Sequence, residues 1–215
     1  MKNVYKNEQT GRSMVEMLGV LAIIGVLSVA GIAGYSKAMA KFKQGKVMDQ
    51  VSMVVSNIRT LFAGQRDFSS LPTTNAHQVL FNMGVIPDEM VQGTNTETGV
   101  TAIRNALGGT VTVIPITSYS GRTNGAFVIT FGGLSRDACV NMLVSDWGSG
   151  GASGLEVIRA GAAATAPTTH TPVTAAATGT GGVWTTASLP VSPVAAASTC
   201  ACGASPTCWV AWQYN

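Results

Sequence analysis

The 215-residue chain carries 13 Lys and Arg against 10 Asp and Glu, a formal net charge of +3. So small an excess argues against a nucleic-acid surface, and no nucleic-acid partner is expected. Charged residues make up only 11% of the sequence, against about 25% in an ordinary soluble protein. With 25 glycines and an Ala- and Thr-rich second half, the surface must stay wet through hydroxyls and backbone, a bias that suits an exported protein.

The first distinctive stretch is Gly11-Arg12-Ser13-Met14-Val15-Glu16, preceded by a polar leader with Lys2 and Lys6. From Met17 to Ser36 there follow 20 residues without a charged side chain. At 1.5 Å per residue a helix of that length spans about 30 Å, the hydrocarbon thickness of a bilayer. The apolar run of a signal peptide is shorter and ends at a small-residue cut site. This run instead continues into helix-compatible sequence, so the segment is expected to stay as an anchor. Lys2, Lys6 and Arg12 precede it and Lys37, Lys41, Lys43 and Lys46 follow, so charge bias sets no orientation.

Beyond the anchor the pattern changes while the helix continues. Val47, Val51, Val54, Val55, Ile58, Leu61 and Phe62 form one apolar stripe of helical period, with Asp49, Gln50, Ser52, Ser56, Asn57, Arg59 and Thr60 on the other face. No proline precedes Pro72, and Gly64 supplies a stop. A helix from about Ser13 to Ala63 is therefore expected, roughly 75 Å long. Four glycines, Gly19, Gly25, Gly31 and Gly34, permit close helix contact in a membrane.

The remainder reads as a small α+β domain. Asn75 caps a short helix through Met83, ended by Gly84 and Pro87. Thr110–Ile116 and Ala126–Phe131 are β-rich runs around a turn at Ser118–Gly125. Ser135 caps a helix to about Trp147, Leu155–Arg159 is a strand, and Cys208–Tyr214 a final one. Between Ala160 and Thr199 the Ala/Thr/Gly/Pro-rich sequence reads as an exposed loop with one strand near Val183–Thr186. Trp184, Trp209, Trp212 and Tyr214 read as core or sheet residues.

Cys139, Cys200, Cys202 and Cys208 all lie in the second half, an even count that fits disulfides in an oxidising compartment. The spacing C-x-C-x5-C matches no common zinc pattern, and neither His77 nor His170 adjoins a cysteine, so no metal is expected. A Cys200–Cys202 bridge would close a tiny strained ring. Cys139 is therefore expected to pair with Cys200 or Cys202, and Cys208 with the other. No nucleophile motif accompanies the histidines, and Gly108-Gly109 and Gly148–Gly151 read as turn glycines rather than phosphate loops. Neither an enzymatic activity nor a cofactor is expected.

A short basic leader, Gly11, a glutamate five residues later and a long apolar run together resemble the processed N-terminus of type IV pilins and the related pseudopilins. The resemblance implies that a membrane-embedded prepilin peptidase cuts after Gly11 and methylates the amine of Arg12. Arg12 departs from the aromatic or aliphatic residue usual at that first mature position. A carboxylate at the edge of an apolar span is costly unless partnered. By the resemblance, Glu16 docks a subunit by neutralising the new amine of a neighbour, which fixes one helix register. Filaments of the family carry a locally unwound stretch in this helix, which falls here between Gly25 and Gly34.

Two further features are similar to type IVb pilins: a disulfide from a mid-domain helix to the C-terminal region, and the stretch Asn82-Met83-Gly84-Val85-Ile86-Pro87 after the long helix. The 11-residue leader is more like the IVa kind. The expected fold is α+β, with a long N-terminal helix packed on a mainly antiparallel sheet and a disulfide-closed C-terminal region. Its expected parts are a leader (1–11), a membrane and filament-core helix (12–36), its amphipathic continuation (37–64) and a globular domain (65–215). The implied function is that of a filament subunit, first in a bacterial inner membrane and then in a cell-surface pilus. Its partners would be other copies of itself, the peptidase and the inner-membrane assembly machinery. The alternatives are a minor pilin or a type II secretion pseudopilin and, from another class, an anchored binding protein that never polymerises. Adhesion, aggregation, motility or DNA uptake would belong to the assembled fibre.

Overall fold

A computed structural model describes residues 14–73, 76–93, 99–148, 153–163, 165–202 and 207–215. The chain divides into two compact units, Met1–Phe42 and Lys43–Asn215. Helix α1 (Met14–Phe62) runs without interruption through Gly25 and Gly34. The stretch expected to unwind in a filament is thus helical in the single chain, where nothing would replace the backbone bonds lost by unwinding. In the part of α1 after Phe42, Val47, Val51, Val54, Val55, Ile58 and Phe62 are buried, as their spacing predicts.

Two positions of α1 depart from the pattern. Leu61 stays 45% exposed, because it lies at the margin of the stripe where the helix ends. Gln50, assigned to the polar face, is 2% exposed. Its amide donates to Glu89 Oε1 (2.9 Å) and accepts from the Ala106 backbone N–H (3.0 Å), so both ends are satisfied in the core.

The main sheet has five strands: β3 (Val111–Ile116), β4 (Ala126–Leu134), β5 (Leu155–Ala162), β6 (Val183–Thr185) and β7 (Cys208–Tyr214). Their order is β3-β4-β7-β5-β6, and every pairing is antiparallel. The final strand therefore lies at the centre of the sheet. Strand alternation sorts side chains onto two faces. Val113, Phe127, Ile129, Phe131, Val210 and Trp212 join the buried α1 residues in the principal core. Ile114, Ile116, Ala126, Val128 and Ala211 form a second cluster on the opposite face. Trp184 and Tyr214 are buried as expected, while Trp209 is half-buried against the second cluster.

A separate two-stranded sheet pairs β1 (Val91–Gly93) with β2 (Val100–Ile103) and was not apparent in the sequence. Helix α2 spans His77–Asn82, with Gly84 at φ 71 just beyond it; Asn75, the expected cap, lies outside the described residues. Ser135 does cap α3 (Arg136–Val144) by accepting from Ala138 N–H at 3.3 Å. That helix stops short of Trp147, whose indole N–H turns back to the Met142 carbonyl at 2.7 Å.

The largest correction concerns residues 160–199. They include a helix, α4 (Pro193–Thr199), capped by Ser192, which accepts from Ala195 N–H at 3.3 Å. Ser-Pro followed by alanines is a helix-start signature that the overall composition obscured. Residues 165–171 form a strap across the second face of the sheet. Thr112 Oγ1 donates to the Pro167 carbonyl (3.0 Å), Ala166 N–H to Thr110 Oγ1 (2.9 Å) and Arg159 Nη2 to the Thr171 carbonyl (3.2 Å). Opposite Ala166 the sheet carries Gly132, where a Cβ would stand 2.6 Å from the strap backbone. The strap thus reaches the sheet because that position has no side chain.

Candidate functional site

Of the residues singled out at the N-terminus, Gly11 and Arg12 lie outside the described residues. Glu16 stands in the first turn of α1, where the exposed backbone N–H groups favour a negative charge. Its neighbours Val15, Met17, Leu18 and Val20 are all more than half exposed. Exposure continues along every residue from 14 to 38. The serine hydroxyls in this stretch are satisfied internally: Ser28 donates to the Ile24 carbonyl (2.7 Å) and Ser36 to that of Ile32 (2.9 Å). A Cβ added at Gly19, Gly25, Gly31 or Gly34 would meet nothing within 4 Å, so each is a shallow recess in an apolar surface. Such a surface offers close approach to another apolar helix and, apart from Glu16, no charge until Lys37. Among the described residues, α1 is the one helix long and apolar enough to cross a membrane.

The lysines after this stretch divide in role. Lys37, Lys41 and Lys43 are exposed, whereas Lys46 Nζ pairs with Glu89 Oε2 at 2.8 Å. Hydrogen bonds from Lys46 and then Gln50 hold the Glu89 carboxyl below its ordinary pKa. Lys46 therefore belongs to the seating of the globular unit on its own part of α1.

The four cysteines form two bridges. Cys139 on α3 joins Cys200 at the end of α4, with Cα atoms 5.8 Å apart and a sequence separation of 61. Cys202 joins Cys208, the first residue of the central strand β7, with Cα atoms 5.4 Å apart. The sulfurs of Cys139, Cys200 and Cys208 lie within 4.8 Å of one another. Metal ligation needs thiolates, and sulfurs engaged in disulfides are not thiolates, so this convergence is no metal centre.

A polar network that sequence reasoning missed lies under the strap. Arg159 is 4% exposed and donates to Gln213 Oε1 at 2.9 Å; Gln213 Nε2 donates on to Glu156 Oε2 at 2.8 Å. Glu156 also accepts from Tyr119 N–H at 2.8 Å. Burial draws the Arg159 guanidinium down to about 10. His170, on the strap, shares a 2.8 Å hydrogen bond with Thr130 Oγ1 and packs its ring 5.6 Å from that of Trp209. Burial, aided by the nearby Arg159 charge, lowers its pKa to about 4, so the imidazole is neutral at pH 7. His77 is lowered by burial as well. Neither histidine stands with a serine or cysteine nucleophile, and the network is one of hydrogen bonds holding a strap to a sheet.

Comparison with known proteins supports a structural role. The family model described as PilS N terminal matches residues 43–207, most of the chain. The major structural subunit of the bundle-forming pilus of Escherichia coli O127:H6 (strain E2348/69 / EPEC) is 27% identical over 148 residues, which is 69% of this chain and 70% of that protein. The subunit of the same name from Escherichia coli O111:H- matches to the same extent. The crystal structure of TcpA, a type IV pilin from Vibrio cholerae El Tor biotype, covers 82% of this chain and 99% of its own with a TM-score of 0.52 at 17% identity, a likeness of fold. A long helix seated on an antiparallel sheet and a C-terminal region closed by disulfides give the fold of a type IV pilin, and by the family match the chain belongs to the PilS family.

Proposed function

We propose that this pilin is the structural subunit of a type IV pilus, made in the bacterial inner membrane and polymerised into a surface filament through the first part of α1. The observation that carries this reading is the uninterrupted exposure of residues 14–38, an apolar helical surface without a single buried residue. Water does not tolerate so large an apolar face on a lone chain. Lipid covers it before assembly, and other copies of the same helix cover it afterwards. In this reading residues 1–11 are a leader removed by prepilin peptidase after Gly11, and Arg12 becomes the methylated first residue. Residues 12–36 form the filament core, 37–64 the amphipathic continuation, and 65–215 the outer domain. Glu16 docks against the Arg12 amine of a neighbouring subunit, which costs less than leaving either charge alone in an apolar surrounding. The E. coli relatives are major subunits, and the same status is proposed here.

The test is Glu16→Ala in the native assembly system. Filaments are expected to disappear while the protein stays in the membrane fraction. Undiminished filaments would rule out Glu16 as the docking residue. An anchored protein that never polymerises would show no filament in the wild type either. The mass of the mature N-terminus separately checks processing: N-methyl-Arg12 is expected, and an intact Met1 would exclude cleavage.

A further inference from the structure

The two disulfides are closer to each other than two independent staples need to be. Sulfurs of Cys139, Cys200 and Cys208, which belong to both bridges, fall within 4.8 Å of one another, and Cys202 is not among the three. The Cys200 carbonyl oxygen lies 3.3 Å from Cys202 Sγ and 3.6 Å from Cys208 Sγ, so the short bridge is folded back over the long one. Exposure is graded in the same direction. Cys139, Cys200 and Cys208 are fully buried, whereas Cys202 is 8% exposed and sits in a left-handed backbone conformation at φ 46, unfavourable for a side chain other than glycine. Of the four cysteines, Cys202 is thus the least covered.

We infer that the bridges form an exchange couple in which Cys208 is the mobile sulfur. A dithiol, either a small reductant or the reduced form of a thiol–disulfide oxidoreductase, attacks Cys202 Sγ. The Cys202–Cys208 bond breaks and the electron pair leaves on Cys208 as a thiolate. The dithiol's second sulfur then displaces Cys202 as a thiol, and the reductant departs as its own disulfide. The Cys208 thiolate, already beside the other bridge, attacks one of its two sulfurs. Attack at Cys139 forms Cys139–Cys208 and expels the Cys200 thiolate; attack at Cys200 forms Cys200–Cys208 and expels that of Cys139. Water supplies the proton, and this second step involves no net oxidation. Run in reverse during oxidative folding, the same step hands a bridge first made within the local Cys200–Cys208 segment to Cys139, 61 residues from Cys200. Closing a short loop is entropically easier than closing a long one, so a local bridge forms first and is passed on.

The two single variants differ in which sulfur they leave over. In the full-length chain in detergent, Cys202→Ser leaves Cys208 as the odd thiol inside the sulfur triangle. Cys208→Ser leaves Cys202, outside it. Both are held at mildly alkaline pH, trapped with N-ethylmaleimide and mapped by peptide mass spectrometry. Cys202→Ser is expected to populate a bridge containing Cys208, appearing at least about tenfold faster than any rearrangement in Cys208→Ser. Cys208→Ser should retain Cys139–Cys200 with Cys202 alkylated. A single Cys139–Cys200 bridge in both variants, or equal scrambling in both, overturns the inference. Wild-type protein treated with substoichiometric dithiothreitol gives a reading that needs no variant to fold. Trapped Cys139–Cys208 or Cys200–Cys208 peptides support the couple. An intact Cys139–Cys200 bridge with Cys202 and Cys208 both alkylated overturns it.

Discussion

His170 shows how one side chain ties the strap to the acid range. Three elements face it: Thr130 on β4 gives the hydrogen bond, Trp209 on β7 the ring contact, and Arg159 on β5 the neighbouring charge. The unfolded imidazole titrates near 6.5 and the folded one at about 4, so between those values the unfolded chain binds more protons. Stability therefore falls as pH drops through that window, and the loss is complete below the folded value. Discounted for partial exposure, it amounts to about 2 kcal/mol. His77 shifts in the same direction through burial and adds to the slope. The expected outcome is that His170→Gln flattens the fall in melting temperature between pH 6.5 and 4 relative to wild type, without removing it. A parallel fall in both proteins would show that His170 is not buried neutral. The sequence contained no hint of this role, because His170, Thr130 and Trp209 come from three separate segments and meet only through sheet topology.

Elements with a strong local signal were legible in the residue order, and those defined by long-range contact were not. The stripe from Val47 to Phe62 placed the second half of α1, Ser135 placed the start of α3, and β-rich runs flanking a Gly- and Asn-bearing turn placed β3 and β4. Gln50 was misread because helical period assigns a face but cannot see that Glu89 and the Ala106 N–H wait there. The strap and α4 were misread because Ala, Thr and Gly carry little periodic signal, and their burial is decided by partners such as Gly132. The cysteines left two pairings open from spacing alone, and the approach of α3 to α4 brings Cys139 to Cys200. These bridges differ in what they constrain. On the chain-entropy account the bridge across 61 residues is worth about 4 kcal/mol and the one across 6 about 2. The double variant Cys139→Ser/Cys200→Ser should therefore lose about twice the unfolding free energy lost by Cys202→Ser/Cys208→Ser, read by denaturant melts in detergent. Equal losses would mean that native packing, rather than loop closure, sets their worth.

At the scale of the whole molecule, each unit meets its solvent in a different way. In Lys43–Asn215 the principal core draws on α1 from Val47 onward, on the inner sheet face and on α3, so this unit holds its own hydrophobic core. Residues 14–38 contribute nothing to that core and are exposed throughout. The contrast yields a prediction about where stability and assembly reside. A chain consisting of residues 43–215 is expected to be soluble without detergent, to be monomeric, and to melt cooperatively within a few degrees of the full-length protein in micelles. It is also expected never to form filaments, because the surface that would bring copies together is gone. Circular dichroism melting and analytical ultracentrifugation check the first three points, and electron microscopy the last. Failure of 43–215 to fold would mean that the helix before Phe42 supports the outer domain as well as the polymer. Filaments formed without residues 14–42 would move the assembly surface onto the globular unit. The expected result assigns the fold to one unit and polymerisation to the other.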